Sequence, residues 1–311
     1  EPAAYRVYGR SRYFTSIEIA NTMLGISGKK FENVVIASGK EYADALTGTS
    51  LAIQKNAPVL LIADGYEKMV SEYIAANMVS GGTIYVLGDE KAVSADVAKA
   101  LSAVGTVKRV ASTSRFRTNL EILKETNAVS GELLITSSEA PYDALSASSS
   151  GLPVMLVGES LRDDQKAYLA AADFSRITIL GDEEAVVATM EAELAAYCAD
   201  INRVGSTSRY RTSLAVAEYF GGDHNENVVL ACGINWPDAL CGGPLAAMID
   251  APVVLMADYR EDTDNYVKQA YIGVVLGSEK AGDTEMITDA EVVDIFELFS
   301  TEDIVANPFA K

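Results

Sequence analysis

Three arginine-rich blocks and three Asp-Ala-Leu tripeptides are where this sequence could do chemistry. The blocks read RVYGRSRYFTS (6–16), RVASTSRFRTN (109–119) and RVGSTSRYRTS (203–213). Each sets an arginine (Arg12, Arg115, Arg209), then an aromatic ring (Tyr13, Phe116, Tyr210), then a hydroxyl (Thr15, Thr118, Thr212). A guanidinium beside the free N–H groups of a helix start suits an oxyanion, and Ser11, Ser114 and Ser208 stand where N-caps belong. The same arginines would equally suit ion pairs with acids of a neighbouring part of the chain. The tripeptides are centred on Asp44, Asp143 and Asp238, and the third, NWPDALCGGPLAA (235–247), adds Trp236 and Pro237. A carboxylate in a first helical turn gains ~0.3–1 kcal/mol from the helix dipole. Two readings stand for these aspartates: part of a capped helix with a small-residue packing face, or a carboxylate that fixes a ligand or orients an arginine.

Other chemistries lack their residues. There is no glycine-rich phosphate loop and no Gly-x-Ser-x-Gly elbow. The single histidine, His224, lies in the polar run GGDHNEN and reads as a surface residue. Three cysteines without a Cys-x-x-Cys pair make no zinc site, although a Cys232–Cys241 disulfide is conceivable. Carboxylate pairs for glycoside cleavage stay open, because 44 acidic residues offer many pairs. The marked residues, however, are spread through the chain instead of gathering in one part. That distribution suits repeated binding of a repeating ligand, where modest affinities multiply. No catalytic residue, metal or cofactor is therefore expected. A net charge of −19 argues against nucleic acid and against attraction to an anionic membrane. No run approaches the ~20 apolar residues of a membrane span. The chain opens on Glu1 with no charged-then-apolar leader, so a leader would already be gone.

The elements that must hold these positions repeat as well. Around each Asp-Ala-Leu come, in one order, a buried strand (NVVIASG 33–39, ELLITSS 132–138, NVVLACG 227–233), a second strand (APVLLIA 57–63, LPVMLVG 152–158, APVVLMA 251–257) and a third (TIYVLGDEKAVS 83–94, RITILGDEEAVV 176–187, IGVVLGSEKAGD 272–283). Consecutive apolar positions mark strands buried on both faces. Helical spacing links Ile17, Ala20 and Leu24; Ala45, Thr49 and Ala52; Met69, Ile74 and Met78; and Val93, Val97 and Leu101. The chain thus reads as α/β, with three tandem parallel-sheet subdomains at 1–104, 105–200 and 201–311. The second copy is four residues shorter between Asp143 and Pro153 than the first is between Asp44 and Pro58, about one helical turn. Joins without Pro- or Gly-rich linkers favour docked subdomains. The small residues behind each Asp-Ala-Leu would let the three helices meet about a pseudo-threefold axis. The tail EDIVANPFAK (302–311) sits where a fourth opening strand would come and is expected to cap the array.

With these blocks in place, the chain resembles the type-two cell-wall-binding repeat of Gram-positive surface proteins. The opening RVGSTSRYRTS, the stretch VVLACGINWPDALCGGPLAA (228–247), the APVVL strand and YVLGDEKAVS (85–94) carry the likeness, in triplicate. The resemblance implies three Rossmann-like subdomains in a triangle. It further implies non-covalent anchoring to an anionic secondary wall polymer outside the cell, at the cell wall or surface. A fused effector domain would lie elsewhere. The candidate ligand positions from the arginine blocks and the Asp-Ala-Leu segments are Arg12, Tyr13, Thr15, Asp44, Arg115, Phe116, Thr118, Asp143, Arg209, Tyr210, Thr212, Trp236 and Asp238. Competing expectations are an enzyme on wall glycans or sugar phosphates and an extracytoplasmic solute-binding protein. The sequence departs from the family pattern after the third strand, where Gly88-Asp89, Gly181-Asp182 and Gly277-Ser278 replace a double glycine. The proline before the aspartate survives only as Pro237, and the serine-rich run 146–150 makes the second copy the most worn.

Overall fold

The computed structural model describes residues 3–139, 141–221, 226–234, 236–256, 261–281, 284–298 and 300–306. His224 lies outside them. The first repeat runs β1 (Ala3–Val7), α1 (Arg12–Ser27), β2 (Phe31–Ser38), α2 (Ala43–Gln54), β3 (Val59–Ile62), α3 (Glu67–Asn77), β4 (Met78–Leu87) and α4 (Ala95–Leu101). The second follows with β5 (Thr106–Val110), α5 (Arg115–Glu125), β6 (Ser130–Ser137), α6 (Pro141–Ser146), β7 (Val154–Val157), α7 (Asp163–Ala170), β8 (Asp173–Leu180) and α8 (Thr189–Leu194). The third has β9 (Ile201–Val204), α9 (Arg209–Gly221), β10 (Asn227–Cys232), α10 (Trp236–Met248), β11 (Val253–Met256), α11 (Glu261–Val267), β12 (Ile272–Leu276), the short ribbon β13 (Lys280–Ala281) and β14 (Thr284–Glu285), α12 (Asp289–Ile295) and β15 (Ile304–Ala306).

The apolar runs become short strands whose residues are buried on both faces, as in Val59–Ile62, Val154–Val157 and Val253–Met256. Helices cover the faces, as parallel α/β sheets require. Two helix expectations shift. Val70 and Ile74 form the buried stripe of α3, while Met78 opens β4. Val93 is buried ahead of α4 instead of inside it. The missing turn of the second copy is visible. Its helix α6 has 6 residues where α2 has 12 and α10 has 13, and a 3₁₀ turn at Ser148–Ser150 follows it.

Each sheet is completed by a strand from the next repeat. The sheets run β3-β2-β4-β5, β7-β6-β8-β9 and β11-β10-β12-β1-β15. Strand β5 opens the second repeat yet pairs in parallel with β4, and β9 likewise pairs with β8. The chain then closes on itself, because β1 pairs with β12, Ala3 opposite Ile272 through Val7 opposite Leu276. The repeat unit of the sequence and the sheet unit of the structure are offset by one strand. The tail does not take the slot beside β12, since β1 already fills it. Instead β15 lies on the outer edge of β1.

The helices that carry Asp-Ala-Leu meet at the centre. A Cβ added to Gly243 of α10 would fall 2.5 Å from Thr49 Cγ2 of α2 and 2.8 Å from the Ser148 carbonyl oxygen. These residues stand five places beyond Asp238, Asp44 and Asp143 respectively. Equivalent positions of three repeats thus converge on one pseudo-threefold axis, and the absence of a side chain at Gly243 sets how closely the backbones approach.

Candidate functional site

The sheet order places a crevice at the carboxyl end of each sheet. From the central strand the chain leaves to one neighbour and returns past it to the other, which makes a topological switch point, the usual ligand crevice of open α/β sheets. Each Asp-Ala-Leu helix starts there, and each third strand ends there in a left-handed glycine: Gly88 (φ 91°), Gly181 (φ 99°) and Gly277 (φ 97°). A Cβ on these glycines would lie 2.4, 2.5 and 2.6 Å from Oδ2 of Asp44, Asp143 and Asp238. The glycine therefore serves two needs: a backbone that side chains resist and room for a carboxylate. The aspartates lie in the first turns of their helices, but their role is to fill the crevice.

The shared strands bring the next repeat over the crevice. Strand β5 ends at Val110, whose carbonyl accepts from Gly88 N–H; Val204 does the same for Gly181, and Val7 for Gly277. The helix that follows then begins beside the aspartate of the preceding repeat. Thr212 hydrogen-bonds Asp143, and Thr15 hydrogen-bonds Asp238 across the closure of the ring. The threonines are buried and also accept the backbone N–H of Gly9, Ser112 and Ser206.

Each arginine is held between two repeats. Arg12, Arg115 and Arg209 donate to the carbonyls of Gly39, Ser138 and Gly233 of their own repeat at 2.7, 3.0 and 2.8 Å. The other side of each guanidinium faces a ring of the preceding repeat: Arg12 over Trp236 at 5.4 Å, Arg115 over Tyr42 at 5.8 Å and Arg209 over Tyr142 at 3.6 Å. Such stacking leaves guanidinium edges for hydrogen bonding. These rings also tie the repeats together. Tyr42 donates to the Ser138 carbonyl, Tyr142 to the Ile234 carbonyl at 3.4 Å, and Tyr42 meets Trp236 edge-on at 6.0 Å.

Burial raises all three aspartates to about 6 from an ordinary value of 3.8. For Asp44 and Asp143 the like charges of Asp89 and Asp182 add to it. For Asp238 the remaining influences, Thr15 and Arg12, oppose burial. The cleft between the second and third repeats measures about 270 Å³ and is lined by Tyr142, Asp143, Asp182, Glu184, Ser208 and Arg209, among others.

The structure thus gathers nine of the thirteen sequence candidates around the three aspartates: Asp44 with Arg115, Asp143 with Arg209 and Thr212, and Asp238 with Trp236, Arg12 and Thr15, while Thr118 bonds the backbone of Ser112. Tyr13, Phe116 and Tyr210 stand apart as packing rings. Tyr13 and Tyr210 cover Gly39 and Gly233, where a Cβ would fall 2.4 and 2.3 Å from their rings, and Tyr13 lies 4.1 Å from Tyr66. Phe116 lies under the Arg162 guanidinium at 5.4 Å. Tyr42, Tyr142 and the three glycines are the residues that sequence reasoning missed. An aromatic one or two places before each aspartate and a Leu-Gly ending each third strand were the available signals.

The strand arginines of the same blocks lock the sheets. Arg6 pairs with Asp289 at 2.6 Å and donates to the Gly277 and Ile287 carbonyls, Arg109 donates to Gly88 and Val93, and Arg203 pairs with Glu191 at 2.7 Å. Ser114 and Ser208 cap their helices through the N–H of Arg117 and Arg211, whereas Ser11 makes no cap bond. The cysteines are buried free thiols, so the Cys232–Cys241 disulfide is not formed. Among the described residues no group of three His, Cys, Asp or Glu could hold a metal ion, and no helix is long and apolar enough to cross a membrane.

A family model described as cell wall binding domain 2 matches residues 6–98, 109–191 and 203–289. The amidase LytC (N-acetylmuramoyl-L-alanine amidase) of Bacillus subtilis strain 168 is 24% identical over 255 residues, which cover 80% of this chain and 49% of that protein. The amidase enhancer of the same organism is 24% identical over 260 residues, covering 81% and 34%. Two solved structures share the fold. Cwp8 from Clostridium difficile has TM-score 0.82 and 25% identity, covering 96% of this chain and 53% of that one, and Cwp6 from the same organism has TM-score 0.84 and 20% identity, covering 98% and 48%. The chain spans half or less of the length of the two Bacillus proteins and about half of the two structures.

Proposed function

This chain belongs to the cell wall binding domain 2 family, and we propose that it anchors a larger protein non-covalently to an anionic secondary polymer of the wall. Cell-wall binding is the family's property. The observation that carries it is the threefold recurrence of one arrangement, in which an arginine of one repeat lies on an aromatic ring of another beside a buried or half-buried aspartate. A guanidinium backed by an aromatic ring keeps its edges for an oxyanion, so each cleft presents a positioned donor to an acidic glycan.

The repeats at 1–104, 105–200 and 201–311 act as one body, each contributing half of two clefts. Three modest contacts on one repeating polymer then combine into firm retention. On this reading the chain is not itself an enzyme, works outside the cell at the wall, and serves a fused domain; an amidase like the matched LytC is one candidate class. The test is co-sedimentation with purified walls. Retention should vanish when the secondary polymer is stripped, and Arg12, Arg115 and Arg209 changed together to Ala should abolish it while the melting profile persists. Retention of the triple variant at wild-type level overturns the site assignment.

A further inference from the structure

The three clefts share a plan but not a charge. Besides the arginine and the aspartate, four places vary. The first is the loop residue two before the arginine, represented by Thr207 in the wall of the cleft between the second and third repeats. The second follows the residue whose carbonyl holds the arginine. The third and fourth stand one and three places beyond the left-handed glycine, where Asp182 and Glu184 line that same cleft.

Between the first and second repeats these places hold Thr113, Glu139, Asp89 and Lys91. Glu139 pairs with Arg115 at 3.3 Å and partly neutralises it. Between the second and third they hold Thr207, Ile234, Asp182 and Glu184. Between the third and first, at the closure of the ring, they hold Arg10, Lys40, Ser278 and Lys280. With the invariant pair added, the corresponding places of the closing cleft carry four cations to one acid, against two to three and one to three in the others, Lys280 standing on the short strand β13. Arg10 is exposed and stacked on Phe14 at 4.1 Å. Arg12, like Arg209 and unlike Arg115, meets no carboxylate at ion-pair distance among the described residues, and Ser11 Oγ, at the head of the same helix as Arg12, is buried without a partner. The electrostatic surroundings of Asp238 agree, since no like charge raises it as Asp89 raises Asp44 and Asp182 raises Asp143.

Building on the wall-anchoring reading, we infer that capture of the polymer's anionic group, a phosphate or a carboxylate, belongs to the cleft that closes the ring between the third and first repeats. Fields from one sign of charge concentrate in a cleft with low-dielectric walls. In a protein of net charge −19 the acids of the other two clefts weaken their hold on such a group and leave them to the uncharged parts of the polymer, while the closing cleft draws the charge in.

The decisive variants install in one cleft the chemistry that its siblings already carry, so the fold tolerates them. Lys40→Glu with Ser278→Asp gives the closing cleft the acids found at Glu139 and Asp89. Wall retention, measured as the concentration for half-sedimentation, should weaken at least about tenfold (1.4 kcal/mol), with an unchanged melting profile. Arg115→Ala and Arg209→Ala should each weaken it by less than about threefold, which is under 1 kcal/mol. Glu139→Lys with Asp89→Ser should strengthen it. If Lys40→Glu/Ser278→Asp retains walls like the wild type, or if the three single arginine variants lose retention equally, the inference fails while wall anchoring stands. If the triple arginine variant still pellets, the anchoring reading itself fails. Inorganic phosphate and oligogalacturonate serve as competing probes. Competition by phosphate identifies a phosphate-bearing polymer and competition by oligogalacturonate a carboxylate-bearing one. Competition by neither, together with salt-independent retention, overturns anion capture.

Discussion

Replacing Asp238 by Asn removes a charge that the fold holds at a cost. Asp238 is 9% exposed, faces Gly277, and burial lifts it to about 6 from 3.8. Moving a titration point that far is worth about 3 kcal/mol at 1.36 kcal/mol per pH unit. The folded state holds the proton more tightly than the unfolded chain does. Below pH 3.8 both states are protonated and the cost is absent. It builds as pH rises from 3.8 and is complete above about 6, so this residue's share of stability is present in acid and lost towards neutrality. Asn keeps the shape and the acceptor for Thr15 but carries no charge. The gap in unfolding free energy between Asp238→Asn and wild type should therefore shift in favour of Asn by on the order of 3 kcal/mol between pH 4 and pH 7.5. Taking the gap at each pH cancels the general effect of net charge and any constant misfit of the amide. Urea unfolding at the two pH values measures the shift, and carboxyl carbon NMR of Asp238 locates its titration directly. A midpoint near 3.8, or a gap that ignores pH, refutes the account of a costly buried carboxylate.

Three further outcomes follow from named contacts. Asp89→Ser and Asp182→Ser should move the titrations of Asp44 and Asp143 downward, because each removes a like charge; NMR titration reads both. Gly277→Ala places a methyl 2.6 Å from Asp238 Oδ2 at φ 97°, so thermal unfolding should show a loss of at least about 1–2 kcal/mol from the backbone alone. Pairing it with Asp238→Ala should recover the steric part but not the backbone part. Gly243→Leu drives a side chain into Thr49 and Ser148 at the axis and should cost about 1–3 kcal/mol by the same measurement.

Much of this architecture is legible in the residues. Runs such as VVLA and VVLM become strands buried on both faces because apolar side chains on consecutive positions can be buried only with helices on both sides of the sheet. The shortened second helix follows from a four-residue deletion, and the small residues behind each Asp-Ala-Leu correctly imply close approach of three helices. What is not legible is who meets whom. Arg12 lies over Trp236, 224 positions away, because β1 joins the sheet of the last repeat, and no local pattern encodes that register. The same blindness hides Tyr42 and Tyr142, whose partners belong to the following repeat. Met78 misleads for a simpler reason: its spacing fits a helix face, but the chain has already turned into β4.

The borrowed strands have a consequence for how such a protein can change in size. In a string of independent beads, a gene can gain or lose one bead and adjust its grip by one increment. Here the first strand supplies the seam of the last sheet, so a single copy deleted would orphan an edge on each side of the gap, and one added would force the circle to reopen. Copy number is therefore fixed by geometry, and adhesion strength is left to be tuned by substitution within the circle.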